Sequence, residues 1–285
     1  MLKNVVHNIK FLSNNDLRFL KANSEEDNLK YEIYDSFKKI KIPIIKTIDQ
    51  TIETLINTEK SLVRFGDGEF ELLEGKSISF QKSSQEISLR MKEVLSSKED
   101  NIMVAIPKII YEEKNNIPFH ERSFWNMNGT KYRKIIFDYC DFNRIYYNAQ
   151  VTLAFSSYLR YDLETYFSKL QSIWNQKKIA IIIGNNIMKN IKYNIFDNAS
   201  SIEYQIAPNI NAFDRYNLIL ENAKKIDKNK IIFIVLGPTA TILAYDLAKE
   251  GYRALDIGHL IKSYDWYKKN KFIIQETAGE FFSPD

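Results

Sequence analysis

Short runs rich in Ile and Val recur along most of this chain, and segments with a helical pattern separate them. Runs that are nearly continuous in such residues are typical of strands buried on both faces of a parallel sheet. Strands that alternate with helices indicate an α/β fold, in which helices cover both faces of a mostly parallel sheet. The seven predicted strands are residues 61–65, 101–106, 149–154, 178–183, 201–206, 230–235 and 252–256.

The first 58 residues differ from the rest, because they have helical patterns and little that resembles a strand. Ile52, Leu55 and Ile56 lie at helical spacing and predict one apolar stripe that faces a core. No internal repeat or low-complexity linker interrupts the chain. We therefore expect a helical N-terminal extension over residues 1–58, followed by one domain over residues 59–285.

Composition excludes several classes of protein. Apolar residues make up 45% of the 285, so a sizeable core can form and global disorder is excluded. The 40 basic residues exceed the 36 acidic ones only slightly and form no stripe, so nucleic acid is not an expected partner. A single cysteine, Cys140, fits a reducing compartment. Without a signal peptide or a run of about 18 apolar residues, the protein is expected to be cytoplasmic, and peripheral attachment at the inner membrane face stays open.

The loops that follow the strands are where parallel sheets bind ligands. Gly66-Asp67-Gly68-Glu69 follows the first predicted strand. In extended chain, residues i and i+2 point to the same side, so both carboxylates can face one hard cation such as Mg²⁺ or Mn²⁺. The glycines let a ligand approach the backbone closely. Asp-Gly is also common in plain turns, and the motif taken alone favours that simpler interpretation.

A second candidate loop joins the strand at 230–235 to a predicted helix through Gly237-Pro238-Thr239. Pro is well tolerated at a first helical turn, and the exposed amides of a helix N-terminus bind anions. An ordinary strand-to-helix connection explains the same residues equally well. The loop after 178–183 lacks the later glycines of a dinucleotide fingerprint and the Gly-Lys ending of a P-loop, so neither site is supported.

Two further loops contain polar side chains. Asn209, Asn211 and Asp214 follow the strand at 201–206 and are candidate contacts to a base or a ribose, although a turn and a helix cap would use the same residues. Asp256 ends the last predicted strand, and His259 and Asp265 follow it. One member of this second set could act as general base toward a sugar hydroxyl, and a hydrogen-bonded structural histidine is an equally good reading of His259.

Four motifs in this order, RFGDGEF, NAF, LGPTAT and LDIGHL followed by YDW, resemble the GT-D-type glycosyltransferases, a bacterial family. The resemblance covers roughly residues 60 to 267. It implies a single Rossmann-like domain that transfers a sugar from a nucleotide-sugar, typically UDP-glucose, to a growing glycan or glycoprotein at the bacterial surface.

The resemblance also implies roles for individual residues. Asp67 and Glu69 stand where the family binds its divalent metal, Mn²⁺ or Mg²⁺, beside the diphosphate. His259 and Asp265 stand where the family carries a histidine and a later acid, and with Asp256 from the same cluster they are the predicted catalytic residues. The predicted donor-binding residues are Gly66, Gly68, Asn211, Gly237, Pro238 and Thr239.

The chain departs from the family pattern at several positions. Ile261 and Ser263 stand where the family has acids, Leu153 where it often has Arg, and Ile183 where an acid often precedes the glycine. Two alternatives therefore stay open: a non-catalytic paralogue that binds nucleotide-sugar, and a metal-dependent nucleotidyl or phosphoryl transferase. Residues 1–58 are expected to dock another glycosyltransferase or the membrane surface, and homo-oligomerisation stays open.

Overall fold

The computed structural model describes residues 42–112, 114–273 and 275–283. In this part of the chain, one eight-stranded sheet has the order β1-β4-β3-β2-β8-β7-β5-β6, and every pair of neighbours is parallel. The α/β prediction is thus confirmed. The strands are β1 (Ile44–Ile45), β2 (Ser61–Arg64), β3 (Ile102–Ile106), β4 (Ile145–Asn148), β5 (Lys178–Gly184), β6 (Ser201–Ala207), β7 (Ile231–Val235) and β8 (Arg253–Asp256).

Helices cover both faces of the sheet, and each face has its own apolar core. Alternate residues of one strand enter different cores, as Leu62 and Val63 do, because successive side chains of a strand point to opposite faces. The helices are α1 (Ile48–Asn57), α2 (Asp67–Leu73), α3 (Gln85–Leu95), α4 (Phe119–Tyr139), α5 (Ala154–Ser157), α6 (Leu163–Ser172), α7 (Tyr216–Ala223), α8 (Pro238–Lys249), α9 (Leu260–Lys268) and α10 (Gln275–Phe282).

The strand predicted at 149–154 is wrong. The strand is β4, which ends at Asn148, and residues Ala149–Thr152 form a 3₁₀ turn that leads into α5. The Asn148 side chain accepts a hydrogen bond from the Gln150 backbone N–H at 2.9 Å, which turns the chain at this point. Apolar residues such as Val151 are buried because the turn packs into the core, so the pattern resembled that of a strand.

Residues 42–58 contribute to the same sheet as the rest of the chain. Strand β1 pairs with β4 at the edge of the sheet, and α1 buries Ile52 and Leu55 as the helical spacing predicted, while Ile56 is 36% exposed. The Thr47 and Gln50 side chains begin α1 with a capping box. Residues 1–41 lie outside the described residues, so the extension and its boundary at residue 58 stay predictions.

The order in which the chain adds strands to the sheet reverses between the neighbouring strands β2 and β8. From β2 the connections lead to β3 and β4 on one side, whereas β5 to β8 occupy the other side. In open α/β sheets a crevice forms at such a point, beyond the carboxyl ends of the strands. Within the described residues, no helix is both long and apolar enough to cross a bilayer.

Candidate functional site

A pocket of about 240 Å³ lies at the carboxyl ends of β2, β7 and β8. The segment after β2 contributes one wall, the start of α8 another, and the start of α9 a third. Such a pocket is where the topology predicts a ligand, since β2 and β8 flank the point of reversal. The lining residues named below bring together four of the loops that the sequence singled out.

Asp67 and Glu69 both line the pocket, but they do not lie in extended chain. Helix α2 begins at Asp67, so the expected geometry of two carboxylates on one side of a strand end is wrong. The Gly66 N–H donates a hydrogen bond of 2.7 Å to Glu69 Oε2, which caps the helix. Acidic side chains in a first helical turn are also stabilised by the helix dipole.

The charges around Glu69 make its carboxyl group easy to protonate. Burial raises its pKa to about 7, and the neighbouring Asp256 carboxylate acts in the same direction, against the Gly66 N–H and Arg64. The pKa of Asp67 is also raised, chiefly because the surrounding pocket walls reduce the hydration of its charged form.

This pair of acids fits a divalent cation whose other ligands come from a substrate. Among the described residues, no group of three or more His, Cys, Asp or Glu side chains is arranged to hold a metal ion. A cation bound by Asp67 and Glu69 would therefore keep several positions open. Mg²⁺ and Mn²⁺ accept such sites, in which one or two carboxylates and substrate phosphates supply the oxygens.

Asp256 lies beneath the pocket and holds Arg64. Its Oδ1 accepts from Arg64 Nη2 at 3.0 Å and from the Gly258 N–H at 3.1 Å. Thr241 Oγ1 donates to Oδ2 at 3.2 Å, and the residue is only 2% exposed. Arg64 lines the pocket and Asp256 does not. Asp256, predicted as catalytic, is thus placed where it positions the Arg64 guanidinium.

Gly258 is required by this arrangement. Its φ is +46°, and a Cβ added there would lie 2.0 Å from Arg64 Nη2. An L-residue would meet both backbone strain and a clash with the guanidinium group. The glycine of the LDIGHL motif therefore lets the Arg64 side chain pass under the start of α9.

His259 is the one predicted catalytic residue that lines the pocket. Burial lowers its pKa to about 3, and the nearby cations Arg64 and Lys262 act in the same direction. The imidazole is therefore neutral at physiological pH. It packs against Phe80 and Phe282, with ring centroids 6.2 and 5.6 Å away.

Neutral His259 is expected to lower stability at acidic pH. Its pKa is about 3 in the folded chain against an ordinary 6.5, so the unfolded chain binds an extra proton as the pH falls below 6.5. The free energy of unfolding then decreases with falling pH, by up to about 1.4 kcal/mol per pH unit, until the pH nears the folded pKa. Between pH 6 and pH 4, the unfolding free energy of His259→Gln should therefore fall less steeply with pH, by up to about 1.4 kcal/mol per pH unit. Urea unfolding at several pH values measures it, and equal slopes for the two proteins would contradict the assigned charge state.

The structure does not bring Asp265 into the pocket. Its carboxylate is 1% exposed and accepts the Lys192 and Tyr193 backbone N–H groups at 2.9 and 3.0 Å. Lys269 Nζ donates to the other oxygen at 2.6 Å. The position of Asp265 therefore does not support the predicted role as general base, and its contacts hold the loop at residues 192–193 against α9.

The start of α8 forms a second polar wall. Gly237 caps the helix with a φ of +51°, and both Gly237 and Pro238 line the pocket together with Gly66 and Gly68. The Thr239 side chain is fully buried and does not line the pocket, although Thr239 was predicted to bind the donor. Its hydroxyl has no hydrogen-bond partner in the described part of the chain.

Asn211 does not line the pocket, although it was predicted to bind the donor. It adopts a left-handed conformation with a φ of +52°, its N–H donates to the Phe80 carbonyl at 2.8 Å, and its Oδ1 accepts from the Lys82 N–H at 2.8 Å. Asn211 thus fixes the loop that contains Phe80. Asn209, in the same loop, lines the pocket instead. It packs so closely on Gly184 that a Cβ added to Gly184 would lie 2.6 Å from Asn209 Cβ.

Sequence reasoning missed several residues of the pocket region. Arg64 had a usable signal, because a charged residue at the end of a buried strand lies near the ligand edge. Lys262 and Phe282 gave none, since the packing of α9 and α10 decides where they point. Glu121 was also missed: burial raises the pKa of this carboxyl group to about 7, near the Asp67 charge, and its Oε2 accepts from Trp125 Nε1 at 2.6 Å.

A parallel sheet with a pocket at its point of reversal defines a class of α/β proteins that bind ligands beyond the carboxyl ends of the strands. The chain belongs to one family within that class, since the model of the glycosyltransferase GT-D fold matches residues 62–276. The resemblance seen in the motifs is thus confirmed.

Two curated relatives are themselves named as glycosyltransferases. The probable glycosyl transferase Gly of Streptococcus gordonii is 30% identical over 250 residues, which cover 85% of this chain and 36% of that protein. Glycosyltransferase GlyD of Streptococcus pneumoniae is 30% identical over 259 residues, covering 87% of this chain and 31% of that protein. The chain therefore spans about a third of the length of the curated relatives it matches.

Solved structures agree with the family. A new glycosyltransferase from Streptococcus sanguinis superposes with a TM-score of 0.78 at 30% identity, covering 86% of this chain and 93% of that one. The domain of unknown function 1792, described as having a distinct glycosyltransferase fold, gives a TM-score of 0.77 at 27% identity, covering 90% and 88%.

Proposed function

We propose that this chain transfers a hexose from a nucleotide-sugar, a UDP-sugar such as UDP-glucose, to a hydroxyl of a glycan or glycoprotein acceptor in surface polysaccharide or glycoprotein assembly. The observation that carries the proposal is that Asp67 and Glu69, in the first turn of α2, line the same pocket as the start of α8. A diphosphate needs a cation on one side and hydrogen-bond donors on the other, and these two helix starts offer both.

In this proposal Asp67 and Glu69 hold Mn²⁺ or Mg²⁺. The bound cation would offset the negative charge that develops on the departing nucleoside diphosphate. The Glu69 carboxylate is already oriented, because the Gly66 N–H donates to its Oε2. Their raised pKa values fit this role, since a cation replaces the proton that the site otherwise favours.

The remaining phosphate contacts would come from the start of α8 and from Arg64. Gly237 and Pro238 line the pocket where α8 begins, so the backbone N–H groups at this helix start are the candidate donors to a phosphate oxygen. Arg64 adds a fixed positive charge, since Asp256 holds its guanidinium group at the pocket. Asp256 acts in this proposal as a positioning residue.

His259 is assigned a hydrogen bond to a substrate hydroxyl and not the abstraction of its proton. An imidazole whose pKa is about 3 is a poor base at neutral pH, although its ring nitrogens still donate and accept hydrogen bonds. It lines the pocket together with Arg64 and Phe282, which suits a contact to the sugar.

A second candidate function is binding of the nucleotide-sugar without turnover. The observation that favours it is the position of Asp265, whose carboxylate is engaged by Lys269 and two backbone N–H groups, while Ile261 and Ser263 are buried where the family has acids. Such a protein would regulate or scaffold glycan assembly through the same pocket.

Release of nucleotide from a panel of nucleotide-sugars tests the two candidates. Donors carrying UDP, GDP, ADP or CMP are incubated with the protein and Mn²⁺, with water and simple glycosides as acceptors, and free nucleotide is measured. We expect release from a UDP-sugar that stops when EDTA removes the metal. Metal-dependent binding without release would favour the second candidate, and neither binding nor release from any donor would overturn both.

A further inference from the structure

Helix α10 packs its last turn into the protein and forms one wall of the pocket. Phe281 is fully buried, and its ring contacts the rings of Trp266, His259 and Phe155 at centroid distances of 5.1, 5.7 and 6.2 Å. The next residue, Phe282, lines the pocket. Burial of Phe281 therefore determines where Phe282 lies.

A buried lysine fixes the same end of the helix. Lys262 is 9% exposed, and its Nζ donates to the Glu280 carbonyl oxygen at 2.8 Å. A cation at a helix C-terminus satisfies a free carbonyl group and complements the helix dipole. Phe282 is thus held through its neighbours, by the packing of the Phe281 ring and by the bond from the Lys262 ammonium group to the Glu280 carbonyl oxygen.

Phe80 approaches the pocket from the opposite direction. Its loop is held by the two hydrogen bonds of Asn211, and its ring lies against the start of α8, 3.7 Å from the position of a Cβ on Gly237. Phe80 and Phe282 both pack edge-on against the His259 ring, with interplanar angles of 69° and 88°. The three rings make an apolar aromatic surface next to the acids and Arg64.

We propose that Phe282 and Phe80 hold a ring of the nucleotide-sugar donor against this surface. The inference rests on the proposed function and deepens it, because it names which part of the pocket selects the donor. The planar face of a nucleobase and the C–H face of a hexose both pack well on aromatic side chains, and the two share the chemistry that this surface recognises. The diphosphate would then lie toward Asp67, Glu69 and the start of α8.

The contribution of Phe282 comes from outside the part of the chain that the family model matches, which ends at residue 276. The metal and phosphate contacts proposed above all lie inside that part. Phe282 and the two acids lie on different helices, α10 and α2, so a substitution of Phe282 should change donor affinity while it leaves the response to metal intact.

Replacement of Phe282 tests the inference by the affinity for UDP and for UDP-glucose, measured calorimetrically with Mn²⁺ on the full chain. Phe282→Ala should weaken donor binding about 10-fold or more, because loss of one stacking ring from a nucleotide site has effects of this size. Phe282→Leu keeps most of the apolar volume without the ring and should also weaken binding. Phe282→Tyr keeps the aromatic face and should stay within about threefold of wild type.

The matched control is Phe272→Ala, since Phe272 is 75% exposed and does not line the pocket. It should bind both ligands as wild type does, and melting temperatures show that each variant is folded. Equal loss for UDP and UDP-glucose would support contact with the base, and loss for UDP-glucose alone would support contact with the hexose. Unchanged affinities in Phe282→Ala and Phe282→Leu would overturn the inference and leave the proposed function standing. Failure of wild type to bind either ligand would instead overturn the proposed function, and the inference with it.

Discussion

The double variant Asp67→Asn/Glu69→Gln is expected to lose metal-dependent release of nucleotide, with turnover lowered by about 100-fold or more. Both substitutions remove the negative charge that would bind the cation and leave the shape of the pocket almost unchanged. An amide oxygen at residue 69 can still accept the Gly66 N–H, so the cap of α2 persists. The measurement is the initial rate of nucleotide release across a range of Mn²⁺ concentrations.

The control for this variant is Glu86→Gln. Glu86 is an exposed acid in the first turn of α3, so it matches the helix position and the chemical change but lies outside the pocket lining. It should release nucleotide at the wild-type rate. Turnover of the double variant within about threefold of wild type, with the same metal dependence, would show that the two acids do not bind the metal.

The second large effect is expected on stability, from Asp256→Ala. The Arg64 and Asp256 side chains are 13% and 3% exposed, so their ion pair is largely removed from water. Loss of one partner leaves a buried charge uncompensated, which lowers the free energy of unfolding by about 3–5 kcal/mol. Arg64 would keep only its contacts to the Asp256 and Ala149 carbonyl oxygens. Urea unfolding at neutral pH measures the change.

Two comparisons make this stability test specific. Asp138→Ala removes the acid of an exposed i,i+4 pair with Lys134 and should change the unfolding free energy by less than about 1 kcal/mol. The double variant Arg64→Met/Asp256→Ala should regain part of the loss, because neither charge is then buried alone. A loss for Asp256→Ala no larger than for Asp138→Ala would contradict the structural role assigned to Asp256.

The strands could largely be predicted from sequence because their signal is local. Buried runs of Ile and Val mark β5 and β7 without reference to any other part of the chain. The segment at 149–154 carries a similar apolar pattern, but its conformation depends on the Asn148 side chain and on Arg64, which donates to the Ala149 carbonyl at 3.3 Å. Periodicity does not encode such contacts.

The region of the candidate site could also be predicted, because a parallel sheet places its ligands at the carboxyl ends of the strands. The orientation of individual side chains could not. His259 and Asp265 are six residues apart, and at 3.6 residues per turn they lie about 120° apart around the helix axis. His259 therefore lines the pocket while Asp265 binds the backbone at residues 192 and 193. The place of Phe282 depends on how α10 packs, which no motif in the sequence records.

The most direct test of the account is the position of a metal ion in crystals of the wild-type chain grown with MnCl₂ and UDP, located by the anomalous scattering of manganese. We expect an anomalous peak within about 2.5 Å of carboxylate oxygens of both Asp67 and Glu69, beside the diphosphate at the start of α8. A peak elsewhere, or a bound UDP whose diphosphate contacts neither acid through a cation, would contradict the proposed metal and nucleotide site.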